Sequence, residues 1–221
     1  MEIDKLKIVS LRLSARMKHV ILPIHWMEFL NSLQKSGYQI SQIPTLPPTV
    51  DIGTASVSGT IARKLTCIVD ANSERQFIGV QESRAESLVE YYKDVMSILH
   101  DLTESNPLQI WFTEFQGRFT TQLKANNSLG TMKELGKSFD FLKNWEGVIG
   151  EPIQNSNIKV TSSGKNPDSP DYFEMTLQPY LIDPLKTLEI VVIMRSPNGE
   201  RVESFAKGVE TNISAILTTL R

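Results

Sequence analysis

Apolar and polar residues alternate at the start of the chain, where Val9, Leu11, Leu13 and Ala15 are interleaved with Ser10, Arg12 and Ser14. A period of two predicts a strand with one face in a core and the other in solvent. Past Pro23 the period changes. Trp26, Met27, Leu30 and Leu33 recur at helical spacing, and Gly37 follows Lys35-Ser36 as a residue suited to end a helix. The segment Ile43-Pro44-Thr45-Leu46-Pro47-Pro48 is too rich in proline for a helix or a central strand and predicts an extended loop or edge. A meander is expected next. Its strands are 54–60 with Ala55 and Val57 on one face, 64–70 with Leu65, Cys67 and Val69 inward, and 76–80 after a turn at Asp70-Ala71-Asn72-Ser73. Ser83-Arg84-Ala85-Glu86 reads as a capping box. The helix it opens carries Leu88, Tyr92, Val95, Leu99 and Leu102 on one stripe and is expected to run to about residue 104, short of Pro107.

The same order then returns. A long apolar and aromatic strand spans 108–119, and a second capping box, Thr131-Met132-Lys133-Glu134, opens a helix with Met132, Leu135, Phe139 and Leu142 at helical spacing. Ile158 and Val160 mark a strand, Asn166-Pro167-Asp168-Ser169-Pro170 a loop, and 172–178 a strand with Phe173, Met175 and Leu177 inward. After a turn at Asp183-Pro184, the near-continuous apolar run 188–194 predicts a central strand. A last helix beyond Pro197-Asn198-Gly199 carries Val202, Phe205, Val209, Ile213, Ile216 and Leu220. The expected fold class is α+β. Two similar β-α-β(3-4)-α halves, 1–105 and 106–221, form a continuous antiparallel sheet with helices on one face. The halves share a layout and no residue-level identity. Their order resembles the duplicated saddle of the TATA-box-binding-protein superfamily, in which each half is a strand, a helix, a meander and a closing helix, and the two sheets join edge to edge. The alternative layout is the helix-grip fold, one curved sheet around a long C-terminal helix, which the helices at 83–104 and 131–146 fit poorly.

A chain of 221 residues buries enough surface to fold without a metal or disulfide. Its formal net charge of −2 gives no global attraction to nucleic acid or to anionic membranes. The local exception is the N-terminus, where Lys5, Lys7, Arg12, Arg16 and Lys18 stand against Glu2 and Asp4. Cys67 is the sole cysteine, and Leu65 and Val69 beside it suggest a small buried hydrophobe. There is no apolar leader and no run of about 20 apolar residues, so the expectation is a cytoplasmic chain without membrane spans.

Chemistry is sparse. P-loop, GxGxxG, GxSxG and HExxH patterns are absent, and His19, His25 and His100 lack metal-ligand spacing. No catalytic residue, metal ligand or cofactor is expected. The most distinctive feature is the aromatic strand 108–119. One of its faces is expected to offer Trp111 and Phe115 to a ligand or partner, with Arg118 beside them, and Arg12 and Arg16 on the first strand complete the candidate binding residues. The plainer alternative makes this strand a covered central strand or a homodimer seam. The expected function is a non-catalytic binding or scaffold protein whose curved sheet holds a protein partner or a second copy. One alternative is a small-molecule binder or enzyme with a pocket between the halves, anchored by Arg75 with Asp70 or Glu114 with Arg118. The other is a nucleic-acid binder, against which stand the negative net charge and the wedge candidates Phe115 and Phe119, which lack flanking cations on both sides.

Overall fold

The computed structural model describes residues 5–18, 23–41, 57–102, 109–122, 157–162 and 165–219. The proline-rich segment 43–48, the second capping box with its helix at 131–146, and the side chains of His19 and His25 lie outside the described residues. Among the described residues stand four helices and one sheet of nine strands, every pairing of which is antiparallel. The chain is an α+β protein.

The first strand, β1 (Lys7–Met17), follows its period: Leu11, Leu13, Ala15 and Met17 are buried, while Arg12 and Arg16 take the other face. Helix α1 (Pro23–Lys35) stops at Gly37, whose φ of +85° only glycine adopts without strain. There Gly37 donates its backbone N–H to the Gln34 carbonyl and Tyr38 donates to Leu33, which satisfies the last carbonyls of the helix. A short β2 (Gln39–Ile40) leads to the meander of β3 (Ser58–Lys64), β4 (Cys67–Asn72) and β5 (Phe77–Glu82). Lys64 Nζ reaches the Ser36 carbonyl at 2.9 Å and lies over the Tyr38 ring, so the end of α1 is tied to β3.

Two details of the meander differ from the sequence reading. Leu65 does not point inward: it sits in the tight turn between β3 and β4 at φ +55° and is 90% exposed. A turn two residues long resets the phase of the alternation, so only Cys67 and Val69 go inside. The next turn also comes later, at 73–76, because Ala71 packs in the core and Asp70 and Asn72 still pair with β3 and β5. Asn72 Oδ1 then accepts the Arg75 N–H at 2.7 Å, the local bond that suits asparagine to a turn.

Helix α2 (Ala85–Asp101) buries Leu88, Tyr92, Val95 and Leu99 on its predicted stripe. The expected capping box does not form. Arg84 is the N-cap and makes no side-chain bond, and the Ser83 hydroxyl donates instead to Glu82 Oε1 at 2.9 Å. The long strand β6 (Ile110–Gln122) is followed by β7 (Ile158–Thr161), β8 (Tyr172–Pro179) and β9 (Thr187–Ser196). The final helix is two helices, α3 (Gly199–Lys207) and α4 (Val209–Thr219), divided at Gly208. Val202, Val209 and Ile213 nevertheless stay on the buried side.

The strands lie in the order β2-β3-β4-β5-β1-β6-β9-β8-β7. Both edges of β6 are therefore paired, with β1 and β9, so neither edge is free to be a dimer seam. Helices α1, α2 and α3 pack on the sheet and touch in sequence, α1 on α2 and α2 on α3. Beneath them Leu13, Ala15, Phe115, Phe119, Ile190 and Val192 belong to one core cluster. Gly117 lies between the two phenylalanines, and a Cβ there would come within 2.5 Å of the Phe119 ring and 2.9 Å of the Phe115 ring. Each such fully buried side chain is worth about 1.5–3 kcal/mol of hydrophobic stabilisation.

Candidate functional site

Alternation that sends Leu13 and Phe115 under the helices sends their neighbours to the opposite face. Charged residues dominate there, and they pair across strands. Arg12 of β1 forms an ion pair with Asp70 of β4, passing over Gly79 of β5. Glu114 of β6 pairs with Arg195, the residue directly opposite it on β9. Arg118 of β6 pairs with Glu189 of β9, and Lys159 of β7 with Glu174 of β8 at 2.7 Å. The long cationic side chains lie over the acids, so Glu189 and Glu114 are buried although no described helix covers them.

Where β5, β1, β6 and β9 adjoin, this face carries a groove of about 250 Å³. Four arginines line it, Arg12, Arg16, Arg75 and Arg195, against one acid, Glu114. Three of the guanidinium groups lie over aromatic rings, and the two that also have an acid are Arg12, on Phe77 at 4.7 Å, and Arg195, on Phe112 at 5.2 Å. Ring and acid together hold each of these cations in place. Arg12 and Arg195 are thus neutralised by Asp70 and Glu114, whereas Arg16 and Arg75 have no acidic partner among the described residues. Burial holds the Asp70 carboxyl above the usual carboxylate range, outweighing the guanidinium beside it.

Of the residues singled out from the sequence, Arg12 and Arg16 line this groove. Trp111 stands at the adjoining hollow with Arg16, 5.8 Å from its guanidinium, and is 38% exposed. Arg118 is on the same face outside the groove. Phe115 is not there: it is wholly buried under the helices, edge-on to Phe205 at 5.7 Å, and Phe119 is buried with it. Neither ring is available as a surface contact or a wedge. The anchors proposed from sequence also change partners, Asp70 to Arg12 and Glu114 to Arg195. Arg195, Phe77 and Phe112 were missed as site residues, since only the β6–β9, β1–β5 and β1–β6 registers bring them to Arg12 and Arg16, and a single sequence does not display register.

A larger cavity of about 350 Å³ lies beside the start of α2, but its charges cancel, Arg84 and Lys207 against Glu86 and Glu210. Among the described residues no group of three His, Cys, Asp or Glu side chains is placed to hold a metal ion. Cys67 is fully buried in the core, and burial pushes its thiol up to about 12. No described helix is long and apolar enough to cross a membrane.

Fold and site together define the class: an α+β protein with a single antiparallel sheet, helices packed on one face and an arginine-lined groove on the other. No known protein family matches the chain, and no curated protein is similar to it in sequence.

Proposed function

We propose that this chain is a binding or scaffold protein without chemistry of its own, which holds a protein partner or a second copy on the open face of its sheet. The observation that carries the reading is the groove with two arginines left uncompensated, on a face that the described helices do not cover. A second feature agrees with it. Leu181, Ile182 and Leu185 stand 85%, 82% and 58% exposed on the turn between β8 and β9, and exposed apolar groups of this kind mark contact surfaces. The division into two halves, 1–105 and 106–221, with the saddle layout of the TATA-box-binding-protein superfamily, belongs to the same proposal. In its support, β1 is followed across the sheet by β5, β4 and β3 as β6 is by β9, β8 and β7. The break at Gly208 and the presence of α2 on the same face argue against a helix-grip, which needs one long closing helix.

The test is size-exclusion chromatography with light scattering and absorbance at 260 and 280 nm, followed by lysine acetylation read by mass spectrometry. The expected peak is a dimer or a complex with a protein. In it Lys7 and Lys159, exposed on the open face, are protected, while Lys93 and Lys207 on the helices react freely. A lone monomer at every concentration, or a peak rich in nucleic acid, would count against the proposal.

A further inference from the structure

We propose that the groove is a binding site for a phosphate monoester, with the phosphate seated between Arg16, Arg75 and the hydroxyl of Ser14. The inference rests on the open face being a binding surface and names what its groove holds. The first argument is charge. With Arg12 and Arg195 already paired, the lining presents two free guanidinium groups to one small space. Like charges so placed repel, and an anion between them relieves the repulsion. A carboxylate matches one of the two charges. A phosphate monoester carries about −1.5 to −2 near neutral pH and matches both. Its oxygens also suit the guanidinium fork, which donates two parallel N–H bonds.

The second argument is the floor of the site. Ser14 lines the groove, is nine-tenths buried, and its hydroxyl has no hydrogen-bond partner among the described residues. In the groove that hydroxyl can donate to a phosphate oxygen. The third is rigidity. Arg12 is fixed by Asp70 and Phe77, and Arg195 by Glu114, Phe112 and the Pro167 carbonyl, so the walls are ordered before a ligand arrives. Ordering entropy is then lost chiefly at Arg16 and Arg75 and not at the walls.

Nearby acids do not cancel this charge. Glu114 already accepts from Arg195 and from the Gln116 amide at 2.6 Å. Glu74 lines the adjoining hollow and not the groove, and Lys18 lines that hollow too. The volume of about 250 Å³ admits a phosphate and the first atoms of the group that bears it. A nucleic-acid backbone fits less well, because it offers one charge per phosphate and must approach a chain whose net charge is −2.

Isothermal titration of the full chain, in low-salt buffer free of phosphate and sulfate, tests the site with phenyl phosphate, benzoate, N-acetyl-phosphotyrosine amide and a single-stranded oligothymidylate. Phenyl phosphate is expected to bind, and to bind more tightly than benzoate. Arg16→Ala and Arg75→Ala are each expected to weaken it by roughly tenfold, the loss of one charge-assisted contact. Lys159→Ala, on the same face outside the groove, should leave it unchanged. Both arginines are exposed, so thermal melts of the variants should match the parent. Tighter binding of the phosphotyrosine amide would make a phosphorylated protein the source of the group, and weaker binding a free phosphate ester. Equal affinity for benzoate and phenyl phosphate, a preference for the oligothymidylate, or indifference to both arginine substitutions would overturn the site. Association through the open face can persist when the groove binds no phosphate, and the reverse also holds, so the two proposals fail separately.

Discussion

Arg12 reaches Asp70 only because residue 79 is glycine. A Cβ at that position would lie 2.8 Å from Asp70 Oδ1 and 2.9 Å from Arg12 Nε. The pair is largely out of water, with side-chain exposures of 25% and 13%, and Arg12 Nε is buried without a hydrogen-bond partner. Desolvation of such a pair roughly offsets its attraction. The raised Asp70 pKa agrees, since burial outweighs the cation. A carboxyl whose folded pKa lies above its unfolded value is most favourable below the unfolded pKa, and that contribution is lost as pH rises through the folded one. At neutral pH, then, the Asp70 carboxylate is tolerated in the fold chiefly because Arg12 is there. Arg12→Met alone is expected to cost about 2–3 kcal/mol by leaving Asp70 buried and unpaired, somewhat under the value for a fully enclosed pair. Arg12→Met combined with Asp70→Leu should recover most of that loss. Urea melts of the parent, the two single variants and the double variant decide it: a double variant as unstable as either single one would show a pair that stabilises the fold outright, and additive losses would show no coupling between the two.

At the scale of elements, the end of α1 and the start of α2 show where local reading succeeds and where it stops. Gly37 was legible because a helix end needs a residue free to take positive φ, and that need is written in neighbouring positions. The capping box at Ser83 was not, because Glu82, immediately before it, takes the bonds. Glu82 is 4% exposed and accepts from the Ser83 N–H at 2.7 Å, the Ser83 hydroxyl at 2.9 Å and the Thr66 hydroxyl at 2.6 Å. Thr66 comes from the β3–β4 turn, and sequence spacing does not place it there. Burial alone would raise the Glu82 pKa, but these donors, with the Arg84 backbone, hold it below the usual range. A depressed folded pKa adds stability above the unfolded value, near 4.3, and the gain is lost as pH falls through the folded one. Glu82→Gln should therefore cost about 1–2 kcal/mol at pH 7 and progressively less below about pH 4. Denaturant melts of parent and variant at pH 7 and near pH 3 measure the difference, and an equal penalty at both would assign it to packing.

For the molecule as a whole, period-two patterning showed which side chains share a face, and the expectation of one sheet with helices on one side came from the order of the elements and the saddle layout it resembles. It did not show which strands are neighbours. Glu114 and Arg195 are 81 positions apart, and only the β6–β9 register sets them opposite each other. The same non-local pairing joins the two ends of the chain into one body. β1 pairs with β6 along nearly its whole length, α2 packs on α3, and the core cluster includes residues from Leu6 to Leu217 without a division between them. A core shared in this way leaves neither 1–105 nor 106–221 with a complete apolar face of its own, so unfolding should be a single cooperative transition. Leu13 tests this at the centre, because it is fully buried and lies between Val80 of β5 and Phe115 of β6. Leu13→Ala is expected to cost about 2–5 kcal/mol. Cys67 reports on the first half, since its buried thiol is silent to disulfide reagents until the surrounding structure opens. Amide exchange at Ile190 and Val192 reports on β9 in the second. If the core is one unit, both probes in Leu13→Ala lose protection together and by the same free energy. If Cys67 opens while Ile190 and Val192 keep the parent's protection, the halves are separate folding units that meet at a seam, and each half should then fold when expressed alone.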